Sequence, residues 1–379
     1  MKKIKGLATL ILSSVNIVII VAMIATGMAD HINPSTHPMM AVTGILYPLF
    51  LIANLTFIVI WIFISPRHVL IPVVGLVITY YPTRRICPLN ISGEVPDNAI
   101  KVLSYNVFNF NDDGTGIDTG IGMAEYILEN DADIVCLQEA NPHIIKGKKA
   151  DSILNKHYPH IMWTHKKPSG EWIGILSKHP IIASEKIAYE SEGNISMAYK
   201  VQTSQGDVTV INCHLESNKL NKDDKDSFRK IVRGGVNDGN LKQDSRKLLD
   251  KLAEAARQRA PQARNVAEYI STALEKGDDI ILCGDFNDNP ISYARRTISR
   301  NLTDCYIESA TGPGISYNRN GMFVRIDNIM CSSTFTPCTT FVDRKIRLSD
   351  HFPIISQIKK KDKEQIKHYC SLRYTEQEL

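Results

Sequence analysis

Three apolar stretches separated by short polar segments dominate the beginning of the chain. Residues 7–28 and residues 39–64 contain no charged side chain, and residues 69–82 form a shorter stretch of the same kind. At about 1.5 Å per residue, each of the first two is long enough to cross the hydrocarbon core of a bilayer. The pattern predicts a membrane anchor over residues 1–85, with transmembrane helices at these three stretches.

The positive charges around these stretches predict the orientation of the anchor. Residues 1–5 carry lysines and Arg67 follows the second stretch, which places both points in the cytoplasm. Because the third stretch is uncharged and follows a cytoplasmic turn, we expect it to span and the rest of the chain to be extracytoplasmic. If it lay at the interface instead, Arg84 and Arg85 would keep the remainder inside. A cleaved signal peptide explains the first stretch less well, since the second follows at once.

Beyond a linker at residues 86–99, short apolar runs of the β type recur, and most of them stop at polar residues. Apolar runs bounded by turn residues predict buried strands. The polar residues that follow or lie within these runs are Asn106, Glu139, His214, Asp285, Asn287, Asp327, Asp350 and His351. In α/β and β-sandwich enzymes, catalytic and binding groups are commonly placed in the loops at strand ends. Asp327 differs in lying inside its predicted strand, residues 323–330.

Residues 282–290 carry the pair around which the other groups are organised. Asp285 and Asn287 lie two residues apart at the end of an apolar run, so they point the same way. Such a pair can hold a hard cation or an attacking water, or contact a phosphate oxygen. Taken alone, an Asx-rich turn explains the segment equally well. His214 is likewise either a core or a site histidine, and Asn106 by itself is typical of a turn.

The set as a whole favours metal-assisted hydrolysis of a phosphate ester. Glu139 ends an apolar strand, where a buried carboxylate is costly unless it is paired or bound to a metal. Oxygen ligands without cysteine favour Mg²⁺ over zinc, with Mn²⁺ as an alternative. His214 and His351 can donate protons and stabilise developing negative charge.

Composition narrows the functional class only slightly. The eight cysteines show no CxxC spacing, and Cys136, Cys213 and Cys283 lie inside apolar runs, so neither a disulfide framework nor a zinc site is expected. The formal net charge of +4 is too small to indicate nucleic-acid binding by itself. The sequence contains no phosphate-cradling glycine loop and no GxSxG elbow.

Residues 219–264 form a basic insertion, with thirteen Lys or Arg against seven Asp or Glu. From Leu241 the apolar residues recur at helical spacing, so a solvated helix pair is the simpler interpretation. A surface that contacts anionic lipid or a nucleic-acid backbone is the alternative. Aromatic residues are nearly absent there, which argues against base stacking. Residues 359–379 form a charged tail that we expect to be disordered.

Six short motifs run in order through residues 100–358. They are Ser-Tyr-Asn106, Leu-Gln-Glu139, Asn-Cys-His214-Leu, Gly-Asp285-Phe-Asn287, Arg-Ile-Asp327 and Ser-Asp350-His351-Phe-Pro. This ordered set resembles the endonuclease/exonuclease/phosphatase superfamily, which includes pancreatic deoxyribonuclease, abasic-site endonucleases, inositol-polyphosphate phosphatases and neutral sphingomyelinases. The apolar N-terminus resembles the membrane-anchored bacterial branch. The resemblance implies an α/β fold, a four-layer α/β/β/α sandwich preceded by transmembrane helices.

The resemblance also implies a role for each motif residue. The implied metal ligands are Glu139, Asn106 and Asp350, and the metal is magnesium or manganese. The implied substrate-binding residues are Asn287, His214 and Asn106. The implied catalytic residues are His214, Asp285, Asp327 and His351. In this scheme Asp285 orients or deprotonates the attacking water, Asp327 holds His351 to stabilise the transition state, and His214 protonates the leaving group.

Two departures from the family pattern bear on the substrate. Asn328 stands where several members carry an aromatic residue, and no tyrosine near the phosphate can be assigned. The predicted function is a membrane-anchored, magnesium-dependent phosphoesterase acting on a phosphodiester or phosphomonoester of a lipid or phosphoinositide. Membrane lipids are its expected partners through the N-terminal helices, and no protein partner is evident. The alternatives are a tethered nuclease acting on DNA or RNA, and an inactive binding domain of the same fold.

Overall fold

A computed structural model of the chain describes residues 2–91, 93–110, 119–168, 170–221, 223–224, 226–227, 229, 241–319 and 322–362. The α-helices longer than one turn of these residues are α1 (Lys2–Gly27), α2 (Pro38–Ala41), α3 (Tyr47–Ile64), α4 (Leu70–Ile78), α5 (Tyr80–Ile86), α6 (Thr119–Asn130), α7 (Pro142–Ile145), α8 (Lys149–His157), α9 (Leu241–Glu275), α10 (Tyr293–Ile298) and α11 (Cys305–Ser309). The strands are β1 (Ile100–Asn106), β2 (Ile134–Gln138), β3 (His160–His165), β4 (Trp172–Ser177), β5 (Ile181–Ile187), β6 (Ser196–Thr203), β7 (Gly206–His214), β8 (Asp279–Asp285), β9 (Thr303–Asp304), β10 (Tyr317–Arg319), β11 (Met322–Val324), β12 (Asp327–Cys331), β13 (Phe335–Val342) and β14 (Ile354–Lys360).

The described strands form two six-stranded sheets and a separate hairpin. The first sheet has the order β13-β14-β1-β2-β4-β3, and the second has the order β5-β6-β7-β8-β12-β9. Each contains one parallel pair near its centre, β1 with β2 and β7 with β8. Because both faces of a central parallel pair are covered, β2 and β8 are nearly continuous apolar runs.

The two sheets pack face to face, and helices cover their outer faces. The core between the sheets includes Val102, Cys136, Val210 and Ile281. Helices α6 and α8 bury Ile127 and Leu154 against the first sheet. Helices α9 and α10 bury Ile270 and Ile298 against the second. The predicted four-layer α/β/β/α sandwich is confirmed, and the buried cysteines behave as the small apolar residues that the sequence predicts.

The N-terminal helices pack on one another through buried polar groups. The stretches Gly6–His31 and Pro38–Ile64 are long and apolar enough to cross a membrane, whereas Pro66–Ile78 is shorter. The side chain of Asn16 donates to Asn54 at 3.1 Å and accepts from the indole of Trp61 at 3.1 Å. These buried hydrogen bonds fix how α1 and α3 are rotated against each other. The predicted third helix, residues 69–82, is divided at residue 79 into α4 and α5.

These helices are docked on the sandwich. Asp30, just after α1, pairs with Arg85 at the end of α5 and lies 3.7 Å from the Nε atom of Arg296 on α10. A Cβ atom on Gly44 would lie 2.3 Å from the carbonyl oxygen of Ile291, so this glycine permits a close backbone approach. The helices and the loop after β8 therefore form a continuous packed structure.

Two local differences from the sequence prediction have clear physical causes. The strand predicted over residues 323–330 is interrupted, because the N–H groups of Ile326 and Asp327 donate to the Ser316 hydroxyl at 3.0 and 3.1 Å. Asp327 therefore begins β12 and, like the other site residues, lies at a strand end. Lys359 and Lys360 were predicted to belong to the tail, but they complete β14, while residues 363–379 lie outside the described residues.

The basic insertion corresponds partly to α9. This helix begins at Leu241 and continues to Glu275, beyond the predicted boundary at residue 264. Its second half packs on the second sheet through Ala263, Val266 and Ile270. The helix therefore belongs to the outer layer of the sandwich, and most of the preceding basic residues lie outside the described part of the chain.

Candidate active site

The register of the strands brings the predicted site residues to one edge of the sandwich. Parallel strands β7 and β8 pair His214 with Asp285, and the antiparallel strand β12 pairs Asp327 with the same Asp285. In the other sheet, Asn106 ends β1 and Glu139 follows β2. The parallel pairs of the two sheets end side by side, which is why residues so distant in sequence meet.

The buried side chain of Asn106 connects the two sheets. Its Nδ2 atom donates to Oε1 of Glu139 at 3.0 Å and to Oδ2 of Asp285 at 3.1 Å. Its side-chain oxygen accepts from the backbone N–H of Phe108 at 3.1 Å, which fixes the orientation of the amide. Two carboxylates from different sheets are therefore held beside each other by one amide group.

Glu139 is a carboxylate in an unfavourable setting. Its backbone adopts a φ of +48°, a conformation that non-glycine residues rarely adopt outside functional sites. Burial raises the pKa of its carboxyl to about 7, and the hydrogen bond from Asn106 offsets only part of this effect. The negative charges of Asp350 and Asp285 raise the pKa further. A divalent cation would stabilise the charged form of this group.

His351 and Asp327 form a buried ion pair beside Asp285. Nδ1 of His351 lies 2.9 Å from Oδ2 of Asp327, and Nε2 lies 3.6 Å from Oδ2 of Asp285. Burial alone lowers the pKa of His351, but the charges of Asp327 and Asp285 outweigh it and raise this pKa well above its usual range. The ring is therefore an imidazolium held at a fixed position.

The pKa of His214 is shifted in the direction opposite to that of His351. Its side chain is 1% exposed, and its Nε2 atom lies 3.7 Å from Glu139 and 3.8 Å from Asp285. Burial lowers the pKa of His214, so the ring is neutral at pH 7. Within the described part of the chain neither ring nitrogen makes a hydrogen bond. A buried imidazole without partners is positioned to contact a bound substrate.

The loop after β8 completes the edge. The backbone N–H of Asn287 donates to Oδ1 of Asp285 at 2.7 Å, and the Asn287 side chain donates to the carbonyl oxygen of Leu215 at 3.0 Å. Asn287 has a φ of +52°. These contacts leave one N–H of the Asn287 amide for another acceptor. Burial also raises the pKa of Asp285, and the nearby charge of His351 opposes that effect.

The residues present fit a divalent metal ion. Ligand atoms of Asp285, Asp327 and His351 lie within 4.8 Å of one another, and all three side chains are buried. Because His351 is protonated and paired with Asp327, the carboxylates are the members of this group that can face an ion. The Oδ1 atom of Asp327 is buried without a hydrogen bond inside the described ranges. The predicted ligand Glu139 adjoins this group through Asn106 and Asp285, and its carboxylate oxygens suit a hard cation. The predicted ligand Asn106 instead presents its amide N–H to the two carboxylates, while its oxygen accepts from Phe108. The third predicted ligand, Asp350, is partly exposed.

A profile of the Endonuclease/Exonuclease/phosphatase family matches residues 103–351, which is more than half of the chain. The chain belongs to the endonuclease/exonuclease/phosphatase family. Members of this family are generally metal-dependent phosphoesterases and typically use divalent metal ions. A second profile, described as a domain of unknown function, matches residues 9–86. No curated protein matches the chain by sequence.

Solved structures support the same fold for this family member. The catalytic domain of human Nocturnin, solved with a bound sulfate anion, is 15% identical with a TM-score of 0.52, and the match covers 71% of this chain and 97% of that one. Truncated TDP2 from Caenorhabditis elegans is 16% identical with a TM-score of 0.51, over 70% of this chain and 98% of that one. At these identities the likeness concerns the fold.

Sequence analysis assigned no tyrosine to the site of this family member, but the structure places Tyr317 there. Its ring lies 5.1 Å from the ring of His351 at an interplanar angle of 69°, and the two residues form an antiparallel β-bridge. Burial raises the pKa of the Tyr317 hydroxyl, so the group stays protonated and can donate. Tyr317 lies on the short strand β10, far from His351 in sequence, so no local pattern connects them.

Glu171 is a second residue that sequence reasoning missed. It lies directly before β4, and burial together with the charge of Glu139 raises the pKa of its carboxyl. A glutamate that lies just before a predicted strand carries no sequence signal of this kind. Its carboxyl therefore lies close enough to Glu139 for the two negative charges to interact.

Proposed function

We propose that this protein is a membrane-anchored, magnesium-dependent phosphoesterase that hydrolyses a phosphodiester or phosphomonoester of a lipid. One observation carries the proposal. The Asn106 amide holds Glu139 and Asp285 together, and the imidazolium of His351 lies beside the same aspartate. A carboxylate pair for metal and water, next to a fixed cation, matches the needs of phosphoryl transfer.

The geometry supports a distinct role for each group. Asp285 accepts hydrogen bonds on both carboxylate oxygens, so it is oriented to align an attacking water and receive its proton. The imidazolium of His351, held by Asp327, stabilises the negative charge that develops on the phosphoryl oxygens. Because His214 is neutral, it contributes a hydrogen bond to the phosphate or leaving group more readily than it contributes a proton.

Glu139, with Asp350, would hold the magnesium or manganese ion, and Asn106 would position the Glu139 carboxylate through its amide N–H. The bound ion would act as a Lewis acid on a phosphoryl oxygen. The raised pKa of Glu139 supports this assignment, since a desolvated carboxylate gains most from a cation. Asn287, in the loop after β8, would donate an N–H to the phosphate from the second sheet.

The contacts of Asp30 support the predicted membrane topology. The end of α1, the end of α5 and the sandwich meet at Asp30, Arg85 and Arg296. If α1 spans, these groups lie on the side opposite the lysines of the N-terminus. With those lysines in the cytoplasm, the catalytic domain is extracytoplasmic, and the third crossing is made by α4 and α5.

Hydrolysis by the full chain tests the proposal. We would supply a phosphoinositide, a sphingomyelin-type lipid and plasmid DNA side by side, with magnesium or with chelator. Magnesium-dependent cleavage of a lipid is the expected result. Cleavage of DNA alone, with a steep loss as salt rises, would replace the proposal with a tethered nuclease. Metal binding without turnover of any substrate would favour the inactive binding domain.

A further inference from the structure

An apolar cavity adjoins the active site on the side of the N-terminal helices. It has a volume of about 250 Å³. One wall comes from the N-terminal segment through Val42, Ile45 and Pro48. Leu248 and Leu252 of α9 form a second wall, and β11 forms a third. The cavity is thus built where the N-terminal segment, the outer helix and the hairpin converge.

The catalytic loop closes one end of this cavity. Asn287, which lines the cavity, donates its backbone N–H to Asp285 at 2.7 Å. The cavity is also lined by Val42, Ile45 and Pro48 of the N-terminal segment, and the neighbouring side chains of Leu46 and Leu49 are 43% and 62% exposed. A molecule in the cavity would therefore reach from the phosphate-binding loop toward the apolar surface of the helices.

The charged residues in the wall compensate each other. The guanidinium of Arg259 lies 3.2 Å from Asp288 and donates to Asn218 at 2.9 Å and to the carbonyl oxygen of Glu216 at 3.0 Å. Arg259 is only 2% exposed. Because the Arg259 charge is paired with Asp288 and its Nε and Nη1 donors are engaged, the remaining apolar wall favours an uncharged, apolar occupant rather than a second phosphate.

We infer that this cavity binds the hydrocarbon chain of the substrate whose phosphate lies at Asp285 and His351. The inference rests on the proposed phosphoesterase function and specifies its substrate class as a phosphate ester of an alkyl or acyl chain. An apolar cavity of about 150 Å³ is large enough for benzene, so this one accommodates several methylene groups. Each methylene buried there should improve binding about fourfold.

A series of soluble esters tests the cavity in the full chain. The protein, held in phosphatidylcholine nanodiscs with Mg²⁺, would receive p-nitrophenyl phosphodiesters that carry methyl, butyl, hexyl or octyl groups. We expect KM to fall about fourfold per methylene until the cavity is filled. Val324→Phe, which fills the cavity, and Leu252→Ser, which makes it polar, should flatten this dependence while preserving turnover of the methyl ester.

Leu249→Ser is the matched control, because Leu249 is on the same helix, is 37% exposed and does not line the cavity. It should keep the chain-length dependence. If the dependence persisted in both cavity variants, it would come from partition into the bilayer, and the inference would be wrong. Equal KM values for all esters in the unmodified protein would also overturn it while leaving the proposed function intact.

A binding measurement separates the two hypotheses further. Failure to hydrolyse any ester would count against the proposed function. The cavity would then be judged by thermal stabilisation with octyl phosphate against methyl phosphate. Stronger stabilisation by octyl phosphate, lost in Val324→Phe and retained in Leu249→Ser, would support the cavity. Equal stabilisation by the two phosphates would refute it.

Discussion

Replacing Asp327 with asparagine removes the negative charge that pairs with His351 but nearly preserves the shape of the side chain. At 2.9 Å and an effective dielectric constant of about 20, the attraction between the two charges is roughly 6 kcal/mol. This is well above the ~0–1 kcal/mol of an exposed pair. Without the Asp327 carboxylate, the pKa of His351 falls, although Asp285 still raises it, so less imidazolium is available to the phosphoryl oxygens. We expect kcat to fall about 10²- to 10³-fold.

Asp304→Asn provides a matched control for this substitution. Asp304 is a buried carboxylate in the same sheet as Asp327, but it pairs with Arg295, away from the site. Arginine cannot release its proton, so breaking this pair should cost about 3–5 kcal/mol of unfolding free energy. Histidine can release its proton, so Asp327→Asn should lose less stability and far more activity.

The assay is turnover of a chromogenic phosphodiester together with urea unfolding of each variant. The expected pattern is a loss of kcat in Asp327→Asn with near-normal stability, and a loss of stability in Asp304→Asn with near-normal kcat. A normal kcat in Asp327→Asn would refute the role of a charged His351. Equal loss of stability in both variants would refute the argument about proton release.

Three further predictions concern the metal, the pH dependence and the backbone. Glu139→Gln should lower magnesium-dependent turnover at least 100-fold and abolish thermal stabilisation by magnesium, which calorimetry would detect. Because burial lowers the pKa of His214, the folded state should lose stability as pH falls below the ordinary histidine value of about 6.5, and His214→Gln should reduce that loss in unfolding measurements at graded pH. Gly284→Ala should destabilise the protein by about 3 kcal/mol or more, because Gly284 has a φ of +149° and the added Cβ would lie 1.9 Å from the carbonyl oxygen of Cys213. Unchanged urea midpoints for that variant would contradict the steric argument.

The parts of the site that the sequence predicts are those at the ends of strands. Asn106, Glu139 and Asp285 each follow an apolar run, so the strand pattern itself indicates that they meet at a sheet edge. The same logic misplaced the boundary at Asp327, because the Ser316 hydroxyl takes the N–H groups that would continue the ladder. The boundary therefore depends on one side chain, Ser316, that lies outside the strand. The pattern of apolar residues within the strand carries no information about that contact.

Tyr317 and Glu171 illustrate a second limit. Both reach the site through the packing of the two sheets and the hairpin, and neither lies at the end of a long apolar strand. The division of the third apolar stretch into α4 and α5 is different, because its cause is visible in the sequence. Pro82 has no N–H to donate to the carbonyl oxygen of Ile78 and its ring crowds that carbonyl, so the helix is interrupted at Thr79.

The close fit between Gly44 and Ile291 has a practical consequence for anyone who trims the chain. A version that starts after the helices would uncover Ile291, because the other residues of its apolar cluster belong to the removed segment. It would also leave Arg296 without Asp30 and remove a wall of the cavity beside Asn287. Exchanging these helices for an unrelated apolar segment would change the shape of the entrance to the candidate site. Any shortened or hybrid version of the protein should therefore keep the helices and the sandwich together.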